Sequence, residues 1–378
     1  MKIGILTFHA VPNFGAALQA FALQSFLQSE GHEPFIIDYR PAYLTTGGPF
    51  RFPKSKEDLK ANLIKAYQKV NTLRAYTNSA KRRQLHLFSE FHQSHLNLSK
   101  TSYRTIDELR KNPPKADAYI CGSDQIWNPP VQHGVDPACF LDFGPNTVPK
   151  FSYSASFGSA TIDQRFLPDI ETLVKNLDAV SVREQSGTAI LDQISTQPVE
   201  VVPDPTFLCD WDKIQKPRVS SDSETVFSYF LRSGEGVYDF QKNLSDQSGL
   251  TVLEPVNLLQ RWKSYSKKTP IAPLGFLAEM KKARWVITNS FHGTVFAILL
   301  RKPFLTATLP GKRGKLNERM THLLSTLGLL DRQISITEPT SSVLELLERE
   351  IDWPKIEKRQ KSLSEEGKSY LRQNLKLS

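Results

Sequence analysis

The sequence is poor in cysteine and has no long uninterrupted apolar run. Its 378 residues include three cysteines, Cys121, Cys139 and Cys209, which are widely spaced and form no C-x-x-C pair. A disulfide framework and a cysteine-based zinc site are therefore not expected, and a reducing compartment fits this usage best. The most apolar stretch, around 295–300, is far shorter than the ~20 residues that a membrane-spanning helix needs.

Several motifs of well-known enzyme classes are also missing. No G-x-G-x-x-G follows the first predicted strand, which disfavours dinucleotide binding. The basic loop 311–315 lacks the spacing of a P-loop, and no G-x-S-x-G is present to build a hydrolase triad. His92 and His95 lie three residues apart without further metal-ligand residues, so no metal site is expected. The first seven residues resemble a strand and not a signal peptide, and we expect a cytoplasmic protein.

The positive charge is concentrated in one segment. The chain carries a formal net charge of +9, and residues 51–115 contain 15 Lys and Arg against 5 Asp and Glu. Apolar residues recur at helical spacing between 59 and 73, which predicts a helical excursion over 51–115. One interpretation is that its basic residues form a solvated face. The other is that they form a binding surface, either for anionic lipid at the inner face of the membrane or for an anionic carrier. No nucleic-acid-binding module accompanies them, so nucleic acid is not an expected partner.

Short β-rich runs alternate with helical patterns along most of the chain. This alternation predicts α/β architecture with parallel sheets. A Pro- and Ser-rich stretch near 216–222 indicates a linker between two such domains. We therefore predict an N-terminal domain over 1–215, a C-terminal domain over 222–340 and a helical tail over 341–378.

Polar clusters follow the predicted strands, where open parallel sheets bind ligands. His292 follows a buried strand pattern and precedes a helix predicted over 294–300, so it is either an acid–base group or a structural histidine. Arg183 follows another apolar run and offers a bidentate fork for carboxylate or phosphate, or a structural ion pair with Glu184 or Asp204. Both interpretations of each residue stay open at this stage.

Two further segments suggest contacts with a sugar. Residues 122–128 combine a glycine turn, the carboxylate of Asp124, the indole of Trp127 and an amide, a mixture that suits hydroxyl binding and ring stacking. The same segment is equally compatible with a structural turn. Asn13 either caps the first helix or presents its amide to a ligand.

Taken together, six segments resemble the polysaccharide pyruvyl transferase family, in the right order over roughly residues 1–310. They are NFGAALQ at 13–19, GSDQIWN at 122–128, SASFG at 154–158, SVREQSG at 181–187, DPT at 204–206 and NSFHGT at 289–294. The resemblance implies two Rossmann-like domains in a GT-B-like arrangement, with phosphoenolpyruvate as donor and co-substrate and a sugar of a cell-surface glycan as acceptor. It implies that His292 is the general acid and that Arg183 contributes to donor binding.

The sequence departs from the family at one position that matters for the donor. Well-characterised relatives resemble Ser-Arg-Leu-His at the last motif, and the arginine that helps to hold phosphoenolpyruvate there corresponds to Ser290. We therefore expect donor contacts from Ser290, from the main-chain amides of Gly293 and Thr294, and from nearby cations. The candidate cations are Lys312, Arg313 and Arg301.

The remaining expectations concern the acceptor and the cofactors. Asp124 is the expected base or hydroxyl-orienting group, and acceptor contacts are expected from Asn13, Ser123, Trp127 and Ser156. The acceptor sugar can be free or lipid-linked. No metal and no cofactor beyond the co-substrate are expected. Two alternatives remain open, a GT-B-like glycosyltransferase that uses a nucleotide sugar and a non-catalytic sugar-binding or assembly protein.

Overall fold

A computed structural model describes residues 1–45, 66, 77–214, 224–231, 236–258, 260, 263–309 and 317–376. The chain divides into two compact units. Unit 1 comprises residues 1–82, 89–209 and 365–378, and unit 2 comprises residues 83–88 and 210–364. The predicted linker over 216–222 lies outside the described residues.

Unit 1 is built on a parallel sheet of five described strands. They are β1 (Lys2–Leu6), β2 (Glu33–Tyr39), β3 (Leu98–Tyr103), β4 (Ala118–Cys121) and β5 (Lys150–Ser152). Their order across the sheet is β3-β2-β1-β4-β5, and every pairing is parallel. The short pair β6 (Val180–Val182) and β7 (Val199–Val201) joins β5 through isolated bridges. The central strands are buried because helices cover both faces of a parallel sheet.

The helices of unit 1 connect these strands. They are α1 (Phe14–Ser29), α2 (Ala42–Thr45), α3 (Ser79–His95), α4 (Ile106–Lys111), α5 (Pro129–Gln132), α6 (Leu167–Val174) and α7 (Gln185–Leu191). The Thr105 side chain caps α4 by accepting a hydrogen bond from the Glu108 amide, as the capping-box sequence predicts. Most of α1 is buried because its sequence is apolar on nearly every face.

Unit 2 repeats the same architecture. Its strands are β8 (Thr225–Tyr229), β9 (Thr251–Pro255), β10 (Lys267–Thr269), β11 (Trp285–Thr288), β12 (Phe304–Ala307) and β13 (Gln333–Ile334). The order is β10-β9-β8-β11-β12-β13, again parallel throughout. Its helices are α8 (Trp211–Ile214), α9 (Val237–Ser248), α10 (Pro273–Lys282), α11 (Phe291–Leu299), α12 (Glu318–Leu327) and α13 (Thr340–Glu348).

The predicted tail and the predicted excursion differ from the structure. The tail contains two helices, α13 and α14 (Trp353–Lys376), and the residues from 365 onwards belong to unit 1. There the Tyr370 hydroxyl donates to the carbonyl of Ser152 at 2.9 Å, and Arg372 binds Glu30 through two hydrogen bonds. The described part of 51–115 includes the edge strand β3 and is not wholly helical. The apolar stripe between 59 and 73 lies outside the described residues.

Candidate active site

The strand order of unit 1 reverses between β1 and β4. The chain runs outward from β1 through β2 to β3, and then returns to place β4 on the other side of β1. Ligands of open α/β sheets bind in the crevice at the carboxyl ends of the strands, where the order reverses. The loops that follow β1 and β4 flank this position. They contain two of the segments that the sequence singled out, around Asn13 and around Asp124.

Asn13 acts as the cap of helix α1. Its side-chain oxygen accepts a hydrogen bond from the amide of Ala16 at 3.1 Å, and its backbone is extended. This is the geometry of an N-cap, which satisfies one of the free amides at the start of a helix. The capping interpretation is therefore the one that the structure shows, and an acceptor contact by Asn13 stays a prediction.

Ser123 and Ser156 lie in a buried polar network and not on a surface. The Ser123 hydroxyl donates to Asp204 at 3.1 Å, and the Ser156 hydroxyl donates to Glu184. Both serines are at most 1% exposed. Each serine follows a strand, so the network joins the loops after β4 and β5. Both hydroxyls are thus engaged by carboxylates inside the protein, and the contacts of these two serines with the acceptor stay a prediction.

Arg183 occupies the centre of this network. Its Nε lies 3.1 Å from Glu184 and its Nη1 lies 3.1 Å from Asp204. The guanidinium is 2% exposed, and the carboxylates of Glu184 and Asp204 are equally buried. Burial lowers the pKa of Arg183, but the charges of Glu184, Asp204 and Asp124 outweigh burial and raise the pKa overall. The structure thus shows the ion-pair interpretation of Arg183, with both candidate carboxylates at once.

Asp124 adopts an unusual backbone conformation at the end of β4. Its φ is +70°, which lies in the left-handed region. Apart from glycine, asparagine and aspartate, residues seldom adopt this conformation. Its carbonyl accepts a hydrogen bond from the amide of Ser156 at 3.0 Å, which ties the loops after β4 and β5 together. The side chain is partly exposed, in contrast to Ser123. Its predicted role as a base stays a prediction.

Trp127 is a core residue. Its indole stacks on Phe140 with ring centroids 4.9 Å apart, and its Nε1 donates to the carbonyl of Cys139 at 3.0 Å. The side chain is fully buried. One face of the indole and its polar end are therefore engaged by the protein, and the predicted stacking of Trp127 on a sugar ring stays a prediction.

The strand order of unit 2 reverses between β8 and β11. The chain runs outward from β8 to β9 and β10, and β11 then lies on the other side of β8. The segment after β11 contains Ser290 and His292. Because ligand sites of such sheets form at this reversal, the position of the histidine is the one where an acid–base group would be expected.

His292 lies in the first turn of helix α11, which begins at Phe291 and not at Thr294 as the sequence pattern predicts. The imidazole packs edge-to-face on Phe291, with ring centroids 5.2 Å apart. It is buried, with 7% of its surface exposed. Near the positive end of the helix macrodipole, an anion bound beside His292 would be stabilised.

The residues around His292 build the start of this helix. The Ser290 hydroxyl accepts a hydrogen bond from the amide of Gly293 at 3.2 Å, and the Ser290 carbonyl accepts from the amide of Thr294 at 2.9 Å. The Thr294 hydroxyl contacts that of Thr306 at 2.9 Å and is fully buried. The amides of Gly293 and Thr294 are thus hydrogen-bonded within the helix, and their contact with the donor stays a prediction. Ser290 is a helix cap, and its donor contact stays a prediction.

Gly293 is required by close packing. A Cβ at this position would lie 2.4 Å from the Oγ1 of Thr288, at the end of β11. That hydroxyl in turn donates to the carbonyl of Tyr229 at 2.6 Å and accepts from the amide of Ser290 at 3.0 Å. The glycine therefore allows helix α11 to start directly against the end of its strand, which fixes the position of His292.

The candidate cations for the donor have different surroundings. Arg301 is half exposed and forms an ion pair with Glu357 at 2.5 Å. Its guanidinium is therefore already engaged by a carboxylate. Lys312 and Arg313 lie outside the described residues. Within the described ranges, no group of three or more His, Cys, Asp or Glu side chains could hold a metal ion.

One polar group at the end of β1 was missed by the sequence analysis. His9 follows β1 by three residues, is fully buried, and lies with its Nε2 2.9 Å from Asp38. The signal in the sequence was a histidine shortly after the first strand, at the same kind of position as Ser123 after β4. Its pairing with Asp38 depends on the parallel pairing of β1 with β2, which no local pattern contains.

None of the described helices is both long enough and apolar enough to cross a lipid bilayer. Comparison with solved structures finds the same fold in distant proteins. A protein from Listeria monocytogenes assigned as a UDP-N-acetylglucosamine 2-epimerase is 11% identical, with a TM-score of 0.54, and the match covers 94% of this chain and 90% of that one. The UDP-GlcNAc 2-epimerase of Neisseria meningitidis, bound to UDP-GlcNAc, is 12% identical with a TM-score of 0.50 over the full length of both chains.

These likenesses confirm the predicted fold class, an α/β protein of two Rossmann-like domains of the GT-B-like type. No curated protein sequence is significantly similar to this chain. The family model for polysaccharide pyruvyl transferase matches residues 13–307, which include all six segments that the sequence analysis singled out. The chain therefore belongs to the polysaccharide pyruvyl transferase family.

Proposed function

We propose that this protein transfers a pyruvyl group from phosphoenolpyruvate to hydroxyls of a sugar, in a cell-surface polysaccharide or its precursor. The family match supports the class of reaction. The observation that carries the proposal is the position of His292. It lies in the first turn of α11, at the strand-order reversal of unit 2 and within the matched family segment.

In this proposal His292 supplies the proton that starts the reaction. The proton adds to the methylene carbon of phosphoenolpyruvate and leaves an oxocarbenium-like centre at the neighbouring carbon. A sugar hydroxyl attacks that centre and releases its own proton, the bond to the phosphate oxygen breaks, and phosphate departs. A second hydroxyl of the same sugar then attacks the same carbon and loses its proton, which closes the ketal; of the two hydroxyl protons, one restores His292 and the other leaves with phosphate. A positioned general acid typically contributes ~10²–10⁴-fold to such a rate.

Arg183 has a supporting role in this proposal. To contact the donor, its guanidinium would have to leave two buried carboxylates, Glu184 and Asp204. Removing one partner of such an ion pair leaves a buried charge without compensation, which is strongly unfavourable. We therefore assign Arg183 to holding the loops after β4 and β5, and we assign the cationic contacts of the donor to Lys312 and Arg313.

The experiment that tests the proposal is a phosphate-release screen. Purified protein is incubated with phosphoenolpyruvate and a panel of free and lipid-linked glycosides, and inorganic phosphate is measured over time. We expect release that depends on a particular glycoside, with a ketal product of the matching mass. Absence of release with every acceptor, including the lipid-linked ones, would contradict the proposal and favour a non-catalytic sugar-binding protein.

The proposal also includes the place in the cell where the reaction occurs. A cytoplasmic protein that acts on a lipid-linked precursor would work at the inner face of the membrane, and the basic segment 51–115 offers the charge for contact with anionic lipid. Within its described part, Arg82 and Arg83 are exposed on helix α3. Sedimentation with vesicles that contain anionic lipid, compared with neutral vesicles, measures this contact.

A further inference from the structure

The buried pair of His9 and Asp38 belongs to a cluster of ionisable groups in unit 1, near the ends of β1 and β2. His9 is fully buried, and its Nε2 lies 2.9 Å from the Oδ1 of Asp38. Its Nδ1 lies 3.2 Å from the main-chain carbonyl oxygen of Thr7. The two ring nitrogens of this histidine therefore each face an oxygen atom.

Both of these oxygens act only as acceptors. A carbonyl oxygen has no proton to donate, and a carboxylate that is ionised has none either. Burial raises the pKa of Asp38, but its hydrogen bonds with His9 and Arg40 outweigh burial and lower the pKa to about 2. The Nε of Arg40 donates to the same Oδ1 at 2.6 Å. His9 can satisfy both contacts only when both of its nitrogens carry protons, which is the imidazolium form.

The other titratable group that faces His9 carries no competing charge at neutral pH. His92, on helix α3, has its ring centroid 6.3 Å from that of His9. Burial and the charges of His9 and Arg40 lower the pKa of His92 to about 4. The Oδ1 of Asp38 thus contacts both the ring of His9 and the guanidinium of Arg40.

The cluster continues into the loop after β4. The hydroxyl of Thr7 donates to the carbonyl of Ser123 at 3.2 Å and accepts from the amide nitrogen of Gln19 at 2.8 Å. A continuous path of hydrogen bonds therefore runs from Asp38 through His9 and Thr7 to Ser123. It connects the two loops that flank the strand-order reversal of unit 1, and Asp124 is the next residue on the second loop.

We propose that His9 is a positioning residue of the active site, which as a buried imidazolium ties the loop after β1 to β2 and, through Thr7, to the loop after β4. The inference rests on the proposed function only in calling these loops part of an active site. His9 is too deeply buried to touch a substrate, so its effect is exerted through Asn13 and Asp124, which the two loops carry.

The protonation state is tested directly by nitrogen NMR of the wild-type protein labelled with ¹⁵N-histidine. The His9 resonances are assigned by through-space contacts to Thr7 and Asp38 and by their loss in a His9→Gln variant. At pH 7 we expect both ring nitrogens of His9 to show the shifts of an imidazolium, and those of His92 to show a neutral ring. A neutral tautomer of His9 at pH 7 would overturn the proposal. The wild-type spectrum decides this even if the variant does not fold.

The positioning effect is tested by hydrogen exchange with mass spectrometry. In His9→Gln we expect the amides of residues 8–16 and 122–125 to exchange at least tenfold faster than in the wild type. His92→Gln is the matched control, because it removes a neighbouring buried histidine that is not in either loop, and we expect unchanged exchange in both loops. Equal exchange in wild type and His9→Gln would overturn the proposal.

A kinetic comparison links the loops to the reaction. We expect His9→Gln to lower kcat/KM for transfer at least tenfold and His92→Gln to leave it within twofold. If the wild type shows no transfer activity, the proposed function fails, whereas the NMR and exchange results still decide the role of His9. If the wild type is active and His9→Gln matches it in both kcat and KM, the positioning role fails alone.

Discussion

The role of Arg183 cannot be decided from its residue type, because it depends on which side chains surround it in the fold. In the sequence, an arginine at the end of an apolar run fits an anion site and an ion pair equally well. In the structure, two carboxylates surround the guanidinium, and all three side chains are buried. The partner that decides between the interpretations, Asp204, lies 21 residues away along the chain. The sequence offered Asp204 as a possible partner, but local patterning could not show that the fold brings it to the guanidinium.

Arg183→Ala is expected to destabilise unit 1 strongly. The substitution leaves Glu184 and Asp204 buried without their cation, and breaking a buried ion pair in this way costs about 3–5 kcal/mol. The free energy of unfolding from urea titration measures the loss. Arg165→Ala is the matched control, because the ion pair of Arg165 with Asp163 is largely exposed and contributes at most about 1 kcal/mol. Similar losses in both variants would contradict the assigned role of Arg183.

The lowered pKa of buried His92 predicts that the stability of the protein depends on pH. Its pKa falls from 6.5 to about 4 on folding, mainly because of burial. As the pH decreases from 7 to 4, the unfolded chain therefore takes up a proton before the folded chain does, and about 3 kcal/mol of stability is lost. We expect the free energy of unfolding of His92→Gln to lack this part of the decrease. Parallel curves for wild type and variant over this range would contradict the prediction.

The site residues also show which predictions from sequence succeed. Asn13 could be interpreted as a cap because a cap depends only on residues within one turn, and the structure shows this cap. The burial of Trp127 was not predicted, because its environment is created by Phe140 and Cys139, which approach it only in the folded unit. Contacts between distant segments, such as His9 with Asp38, follow from strand pairing and are not visible locally.

Helix α11 is the element that fixes His292, and its start depends on three neighbouring residues. Ser290 caps the helix, Gly293 allows it to approach β11, and Thr288 connects both to β8. The helical pattern in the sequence predicted a start at Thr294, because the first turn contains a histidine and a glycine, which favour helix weakly. Tertiary packing against the end of β11 extends the helix to Phe291.

Ser290→Ala is expected to reduce stability by about 1 kcal/mol, because the amide of Gly293 loses its capping partner. Ser290→Asp serves as the control, since aspartate is an equally good cap and should keep the stability near that of the wild type. Urea unfolding of both variants measures the effect. Equal stability of Ser290→Ala and wild type would show that the cap does not hold the start of the helix.

Strands were predicted best where they are buried. The apolar runs of β4 and β11 stand out in the sequence, and the structure places strands at Ala118–Cys121 and Trp285–Thr288. The edge strand β3 was missed because its sequence, LSKTSY, is polar and mostly exposed. A lysine on an edge strand protects the sheet from pairing with other chains, and the same residue removes the apolar signal.

The two units of the molecule each contain a parallel sheet in which the strand order reverses once. Two of the six segments, around Asn13 and Asp124, follow the two strands at which the order of unit 1 reverses, and the segment around His292 follows β11, one of the two strands at which the order of unit 2 reverses. The α/β alternation could be predicted from periodicity, and the family from six ordered segments. The acceptor sugar could not, because the side chains expected to bind it, Ser123, Trp127 and Ser156, are buried in the protein itself.

Ligand-induced stabilisation separates the proposed donor from a nucleotide sugar. A ligand that binds only the folded state stabilises it by about 2.7 kcal/mol at a hundred times its dissociation constant. We expect phosphoenolpyruvate to raise the unfolding temperature and uridine diphosphate to leave it unchanged. The reverse result would favour a glycosyltransferase that uses a nucleotide sugar, in keeping with Ser290 at the position of the family arginine.

The role of His292 as general acid is tested most directly by comparing donor binding with turnover in His292→Gln. Binding of phosphoenolpyruvate is measured by calorimetry, and transfer is measured by phosphate release with the active acceptor. We expect a donor dissociation constant within about threefold of the wild type and a kcat lower by ~10²–10⁴-fold, because glutamine keeps the hydrogen-bonding capacity but cannot donate the catalytic proton. A variant that turns over near the wild-type rate would contradict this role.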